Sequence, residues 1–241
     1  MSMHLSIVEQ FRAAPPGTLY GVHGDSSVFR LALIAAGYTL VQGIPVTLVD
    51  GSNRFDLYGL AEFARRTAGG RCTPDELLRN IFVSRAFTCY QMEAVIAERL
   101  RAFVRDRKSP VVLIFGLLDT FYDEQAPLRD VRLGVQRMMQ ALQGLKRDGV
   151  SVLVASTDVG PVPPARRGLL PGVMGGMDKV FDMKRIEHRD HGKGHSGMMT
   201  GDKEKGKRHN SMKEGLGETD TGHHRRGVAD GVQGELQSLV A

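Results

Sequence analysis

The chain has no tryptophan, only two cysteines and no long apolar run among its 241 residues. Two cysteines, Cys72 and Cys89, are too few for a disulfide framework, and their spacing is unlike that of a metal site. A membrane-spanning helix would need about 18 consecutive apolar residues. The sequence also has no basic and apolar leader typical of secretion. We therefore expect a cytoplasmic protein without a membrane partner.

Aromatic residues are also missing from the last part of the chain, since none follows Phe181. Six of the eight histidines lie beyond residue 186, among many glycines and charges. Such a stretch buries too little apolar surface to offset an ordering cost of about 1–2 kcal/mol per residue. The sequence predicts an N-terminal helix or linker over 1–14, a core domain over 15–186 and a disordered low-complexity tail over 187–241.

Apolar runs of strand length alternate with helical patterns in the core. The predicted strands are 18–22, 44–50, 81–87, 111–115 and 150–155, and the predicted helices are 28–42, 56–66, 91–107 and 128–147. This alternation predicts an α/β domain with a mostly parallel sheet and helices on both faces. Ligands of such a sheet bind at the carboxyl ends of the strands. Only 179–186 could add a further strand, so we expect a sheet shortened at its C-terminal end.

The segment between the first predicted strand and its helix has the frame of a phosphate-binding loop. In the pattern G-x-x-x-x-G-K-S/T, backbone N–H groups and a helix N-terminus hold the phosphates. Gly21 and Gly24 supply glycines for a tight turn. Ser26, however, stands where the second motif glycine belongs, and Ser27 stands where the lysine belongs. The sequence therefore predicts a degenerate nucleotide-binding loop.

Two neighbouring residues also disfavour a bound triphosphate. Val28 occupies the position of the hydroxyl that holds magnesium, and Asp25 places a negative charge beside the phosphate position. The favoured interpretation is a strand-to-helix turn in which Asp25 or Ser26 caps the helix.

Four segments, in register with the predicted strands, resemble RecA/RadA-type recombinases. The stretch V-D-G-S-N-R-F-D at 49–56 resembles the segment after their second strand, and F-V-S-R-A-F at 82–87 with Q-M-E at 91–93 resembles their V-A-R-A-F stretch and next helix start. The run at 111–116 takes the place of their Walker B strand, and Tyr122 matches a following tyrosine. Asp50 and Gln91 fall on family positions. The resemblance covers about residues 15–180 and implies a RecA-like P-loop NTPase fold.

The residues with which that family hydrolyses ATP are replaced. Ser27 stands in place of the lysine, Gly116 in place of the metal-binding carboxylate, and Ser52 in place of the glutamate that orients water. A serine hydroxyl does not act as a base near neutral pH. The resemblance therefore implies a pseudo-ATPase with no cofactor, although weak binding of ATP and magnesium stays open. Asp50 and Asp119 are alternative ligands for a rewired ATPase site.

The stretch 157–176, rich in proline and glycine, corresponds to the loop with which these recombinases contact single-stranded DNA. Arg166 and Arg167 are the candidate contacts to DNA phosphates. An unstructured basic surface loop is the alternative. Loops of this length are commonly functional or disordered.

A second family feature is the F-x-x-A stretch that begins at Phe11. RadA-type recombinases use this form to dock one protomer onto the next. Because Phe11 lies close before Gly21 in the chain, a helix face is the favoured interpretation. A RecA-like partner or a homo-oligomer stays open.

Histidines of the tail have spacings that could hold a metal, namely His188, His191 and His195, and then His223 and His224. A solvated low-complexity tail is the favoured interpretation, and we predict no metal site.

The resemblance and its departures together imply a catalytically impaired RecA/RadA-like accessory factor in DNA recombination or repair, with single-stranded DNA as an expected partner. One alternative is a RecA-fold regulatory protein without DNA contact, comparable with cell-division inhibitors or KaiC-like regulators. The other is an ATPase with unorthodox ligands.

Overall fold

The computed structural model describes residues 3–67, 72–122, 125–158 and 162–183. These residues form an α/β domain with one sheet of six strands, all parallel. The strands are β1 (Leu19–Gly24), β2 (Val46–Asp50), β3 (Ile81–Arg85), β4 (Val111–Phe115), β5 (Ser151–Thr157) and β6 (Lys179–Asp182). The predicted parallel sheet is therefore confirmed. The predicted tail and its histidines lie outside the described residues.

The strand order across the sheet is β3-β2-β4-β5-β1-β6. Strands β2, β4, β5 and β1 have a neighbour on each side, which explains their nearly continuous apolar sequences. β1 pairs with β5, where Leu19 lies opposite Val152, and with β6, where Tyr20 lies opposite Lys179. β6 occupies the first half of the stretch in which the sequence predicts a last strand.

The helices cover both faces of the sheet, as predicted. They are α1 (Met3–Arg12), α2 (Ser27–Leu40), α3 (Leu57–Thr67), α4 (Pro74–Arg79), α5 (Cys89–Glu93), α6 (Leu100–Asp106), α7 (Leu128–Arg147) and α8 (Leu169–Gly175). The first four pack on one face with a cluster that includes Leu48 and Phe115. The last four pack on the opposite face with Val49 and Ile114. Successive side chains of a strand alternate between the faces, so adjacent residues belong to different cores.

Two helices lie where the sequence analysis expects none. At the start of α4, the Glu76 N–H donates to the Thr73 hydroxyl at 3.2 Å, and the Thr73 N–H donates to the Glu76 carboxylate at 2.8 Å. This reciprocal cap is visible in the sequence as T-P-D-E. α8 lies inside the stretch predicted as a long loop, and it buries Val173 and Met174. An entirely unstructured loop at 157–176 is therefore wrong.

A π-helical segment, Ala94–Arg99, joins α5 to α6 within the stretch predicted as one helix. Beside it, Glu93 packs over Gly134 of α7, where an added Cβ would come within 2.7 Å of the Glu93 carboxylate. Arg137 of α7 donates to the same carboxylate at 2.7 Å. These contacts hold the irregular segment against α7.

Phe11, the first residue of the F-x-x-A stretch, belongs to the core. It lies on the inner face of α1, is 6% exposed, and meets the ring of Tyr20 edge-on at 5.2 Å between centroids. Ile7 and Val8 share this face. The interpretation as a helix face is confirmed, and in this conformation Phe11 does not project as an anchor for another protomer.

Candidate functional site

The candidate site lies at the carboxyl edge of the sheet, where the loops after β2, β4, β5 and β1 follow one another. Backbone hydrogen bonds connect these loops in sequence. The Gly51 N–H donates to the Phe115 carbonyl at 2.8 Å, and the Gly116 N–H donates to the Ala155 carbonyl at 2.9 Å. The Asp158 N–H donates to the Gly24 carbonyl at 2.7 Å. Loops that are far apart in the chain are thus brought together at one edge of the sheet.

The turn between β1 and α2 is too short to surround a phosphate. β1 continues to Gly24 and α2 begins at Ser27, so only Asp25 and Ser26 lie between them. The Asp25 carboxylate accepts a hydrogen bond from the Ser27 N–H at 2.6 Å. Asp25 therefore supplies the predicted cap, whereas the Ser26 side chain makes no capping bond. A carboxylate occupies the helix N-terminus that would otherwise face an anion.

The prediction that Gly21 lies in this turn is wrong. Gly21 is an interior residue of β1 and pairs with Val154 of β5 and Val180 of β6. Its missing side chain leaves room for Met174, because an added Cβ would lie 2.5 Å from the Met174 sulfur. Gly24 does end the strand, with a φ of +151°, and an added Cβ there would lie 2.7 Å from Cβ of Met183.

Asp50, at the end of β2, organises the loop that follows it. Its side chain is almost fully buried and accepts hydrogen bonds from the N–H groups of Ser52, Arg54 and Phe55 at 3.2, 3.1 and 2.9 Å. The Ser52 hydroxyl also donates to it, at 3.4 Å. Asp50 and Ser52 are therefore both engaged by hydrogen bonds within this loop.

Gly116, directly after β4, has no room for a side chain. Its φ of +59° lies in the left-handed region, and an added Cβ would lie 2.5 Å from Cβ of Ser52 and 2.6 Å from Oδ2 of Asp119. The preceding residue, Phe115, is fully buried and packs on Phe29 at 5.2 Å between ring centroids. Position 116 therefore has no carboxylate that could bind a metal, and a carboxylate side chain there would clash with Ser52 and Asp119.

Asp119 lies in a short 3-10 turn beyond β4 and brings negative charge to this edge. Its Oδ1 is buried without a hydrogen-bond partner among the described residues. Burial raises the pKa of Asp119, as does the nearby Asp50, while Arg54 lowers it. Burial and the carboxylates of Asp119 and Asp158 raise the pKa of Tyr122 to about 12. Because these carboxylates lie beside the loops after β2, β4 and β5, this part of the carboxyl edge disfavours a bound phosphate.

A pair that the sequence analysis missed is His23 with Asp158. The His23 Nδ1 lies 3.0 Å from a carboxylate oxygen of Asp158, and both side chains are about one-quarter exposed. The pair connects the ends of β1 and β5, which are far apart in the chain. Only the parallel pairing of Gly24 with Thr157 brings them together. Over the described ranges, no group of three histidine, cysteine or acidic side chains could hold a metal ion.

Arg166 is not an exposed loop cation, so the interpretation that it contacts DNA from the surface is wrong. It is 4% exposed and donates to the Phe121 carbonyl at 2.7 Å and to the Ala126 carbonyl at 2.6 Å. It fastens the start of α8 to the segment after β4. Arg167 is exposed, as the prediction requires. A basic pair in a sequence does not reveal that its first member is buried.

Gln91 has a structural part in the turn after β3. Its side chain accepts a hydrogen bond from the Phe87 N–H at 2.9 Å, and its own N–H donates to the Thr88 hydroxyl at 3.1 Å. This capped turn holds Phe87 and Tyr90 outward, with 70% and 55% of their surfaces exposed. The sequence analysis did not single out these rings. Their positions could have indicated exposure, because Phe87 lies just before α5 and Tyr90 lies in its first turn.

None of the helices in the described part of the chain is long and apolar enough to span a membrane. Compared with known proteins, the chain matches no protein-family model and no curated protein.

Proposed function

We propose that the chain is a RecA-type protein that does not hydrolyse ATP and acts as an accessory factor in DNA recombination or repair. One observation carries the proposal: the positions of lysine, metal carboxylate and glutamate are occupied by the chain's own packing and hydrogen bonds. The Ser27 N–H donates a hydrogen bond to Asp25, and the Ser52 hydroxyl donates one to Asp50. Gly116 has no space for a carboxylate side chain. Asp119 differs from these residues, because its Oδ1 has no hydrogen-bond partner among the described residues, and the turnover test therefore includes it.

The first test is nucleotide turnover. Purified protein with ATP and magnesium should release phosphate no faster than a buffer blank and should show no magnesium-dependent binding of ATP. Release above the blank that is abolished by Asp50→Ala or Asp119→Ala would establish a rewired ATPase and overturn the proposal. The matched control is Asp56→Ala, an exposed aspartate in the same loop as Ser52.

Contact with single-stranded DNA is supported by exposed rings and cations at the carboxyl ends of the strands. Phe87 and Tyr90 project from the capped turn after β3, and Arg85 at the end of β3 is exposed. Single strands are bound by aromatic side chains that stack on bases, together with cations that attract the backbone. Arg167 is the one predicted DNA contact that remains exposed.

The DNA proposal is tested with a labelled oligothymidine and fluorescence anisotropy over a range of salt concentrations. Phe87→Ala with Tyr90→Ala should weaken binding by about 1–3 kcal/mol per stacked base. Arg85→Gln with Arg167→Gln should flatten the salt slope by about 1.4, at about 0.7 per phosphate contact. Tyr58→Ala is the control, because Tyr58 is 73% exposed on α3. Binding that is equally sensitive to Tyr58→Ala would argue against a specific site.

The alternative function is a RecA-fold regulatory protein without DNA contact. The burial of Arg166 favours it, because one of the two predicted phosphate contacts is engaged inside the protein. Exposed phenylalanine, tyrosine and arginine are also typical of protein interfaces. No binding of oligothymidine at low salt, together with no ATP turnover, would select this alternative.

A further inference from the structure

The amino edge of the sheet, opposite the candidate site, presents exposed cations. Arg79 precedes β3, Arg105 and Lys108 precede β4, and Arg147 precedes β5, and all four are exposed. Three carboxylates of this edge have basic partners, since Asp106 lies 3.6 Å from Arg107, Asp148 pairs with Arg101, and Asp178 pairs with Lys146. The excess charge at this edge is therefore positive.

A groove of about 750 Å³ lies at this edge, between α6 and the turn that connects α7 to β5. Arg101, Arg105 and Lys108 stand along one side of it. Arg101 and Arg105 are four residues apart and therefore lie on the same face of α6, and Lys108 follows just beyond the end of this helix. Both chain turns that bound the groove are held in left-handed conformations, at Lys108 with φ +51° and at Gly149 with φ +81°.

Asp148 orients the first of these cations. The Arg101 Nε donates to one carboxylate oxygen of Asp148 at 2.6 Å, and its Nη2 donates to the other at 2.8 Å. A guanidinium has five N–H donors, so three remain for a ligand. Within the described ranges no salt bridge joins Arg105 or Lys108 to a carboxylate, although the charge of Arg105 helps Arg101 and Arg147 to lower the pKa of Asp148. Glu98, from the π-helical segment before α6, is the other carboxylate among the described residues that line the groove.

The floor of the groove is apolar. Ala102 and Pro110 are exposed there, above the buried side chains of Val104, Leu145 and Val150. No aromatic ring lines it. A nucleic-acid strand would therefore find cations for its phosphates but no ring on which to stack its bases. An extended peptide, in contrast, can direct carboxylates to one side and apolar side chains to the other.

We propose that this groove binds an acidic segment of a partner protein, in an extended conformation with carboxylates at alternate positions. Residues two apart in an extended chain are separated by about 6–7 Å. Positions four apart on a helix have Cβ atoms about 5–6 Å apart, so Arg101 and Arg105 match that separation. Arg101 takes one carboxylate, Arg105 and Lys108 take the next, and the intervening apolar side chains cover Ala102 and Pro110.

The test is fluorescence anisotropy of a short labelled peptide in which glutamate alternates with leucine. The full chain should bind this peptide and not a matched peptide with lysine in place of glutamate. Arg105→Gln with Lys108→Gln should weaken binding about tenfold, which corresponds to about 1.4 kcal/mol, and added salt should reduce the difference. Arg105→Lys keeps the charge and should keep most of the affinity.

The matched control is Arg30→Gln with Arg132→Gln, which removes the same charge from exposed positions on α2 and α7, away from the groove. An equal loss of affinity in this control would reduce the effect to overall charge and overturn the proposal. So would peptide binding that is unchanged by the groove variant, or no peptide binding at all. Tighter binding of oligothymidine than of the acidic peptide, lost with the groove variant, would make the groove a nucleic-acid site instead. The ATP and Phe87 experiments are independent of these outcomes.

Discussion

The two edges of the sheet differ in how their polar groups are satisfied. At the carboxyl edge, Asp50 accepts hydrogen bonds from its own loop, and Arg166 donates to backbone carbonyls in the interior. At the amino edge, Arg105 and Lys108 face solvent beside an open groove. Ligands of parallel sheets ordinarily bind at the carboxyl edge. Charged groups at the carboxyl edge are thus held by hydrogen bonds inside the protein, whereas cations at the amino edge remain accessible beside the groove.

The largest change in the free energy of unfolding is expected when a glycine with a left-handed backbone is replaced at each edge, Gly116 at the carboxyl edge and Gly149 at the amino edge. Gly116→Ala should lower the free energy of unfolding by about 2–5 kcal/mol, since about 1–2 kcal/mol of backbone strain adds to about 1–3 kcal/mol of overpacking. Gly149 also has a positive φ, but an added Cβ there meets nothing within 4 Å. Gly149→Ala should therefore lower the free energy of unfolding only by the backbone strain of about 1–2 kcal/mol. Urea unfolding of both variants measures the difference, and equal losses would mean that Ser52 and Asp119 can yield to a side chain.

The second comparison uses two arginines. Arg166→Ala should lower the free energy of unfolding by about 1–3 kcal/mol, because it leaves the carbonyls of Phe121 and Ala126 without their donor. Arg105→Ala, at the amino edge, should change it by less than about 0.5 kcal/mol. Thermal or urea unfolding measures both. A neutral Arg166→Ala would mean that water replaces the arginine and that this part of the carboxyl edge is open.

The smallest effect is expected in the pH dependence of stability, for which the two edges each offer one aspartate, Asp119 and Asp178. Burial and Asp50 raise the pKa of Asp119, so the folded state holds its proton more tightly than the unfolded state. Ionised Asp119 therefore costs stability, and the cost develops as the pH rises through the ordinary aspartate range and the raised folded pKa. The Leu19 N–H and Lys146 lower the pKa of Asp178, which stabilises the fold above the ordinary pKa and loses this effect as the pH falls through the folded value.

The measurement is the melting temperature of Asp119→Asn and Asp178→Asn from acid to neutral pH. Asp119→Asn should melt higher than the parent at neutral pH and converge with it in acid. Asp178→Asn should melt lower at neutral pH and also converge in acid. If both variants changed the melting temperature in the same direction at neutral pH, ionisation of the two aspartates would not have opposite effects on stability at the two edges.

Long periodic segments were predictable because burial of one face leaves a regular pattern. The bounds predicted for β4 and α7 are those observed, and β5 differs by only one or two residues at each end. A cap by Asp25 or Ser26 was predictable because it depends on local chain geometry, and the structure shows that Asp25 supplies it. Gly21 was misplaced because a glycine inside a strand and a glycine in a turn look alike in sequence. The difference depends on Met174, a residue of α8 that approaches from far along the chain.

The departures of Ser27, Ser52 and Gly116 from the resembled motifs could be predicted without coordinates, because they depend only on residue identity. The sequence also determined the alternation of strands and helices, because period and apolar content are local properties. Coordinates were needed to find that the space at Gly116 is filled, that Arg166 is buried, and that Asp148 orients Arg101 at the opposite edge. Each depends on side chains that are distant in the chain and meet only when the parallel strands pair.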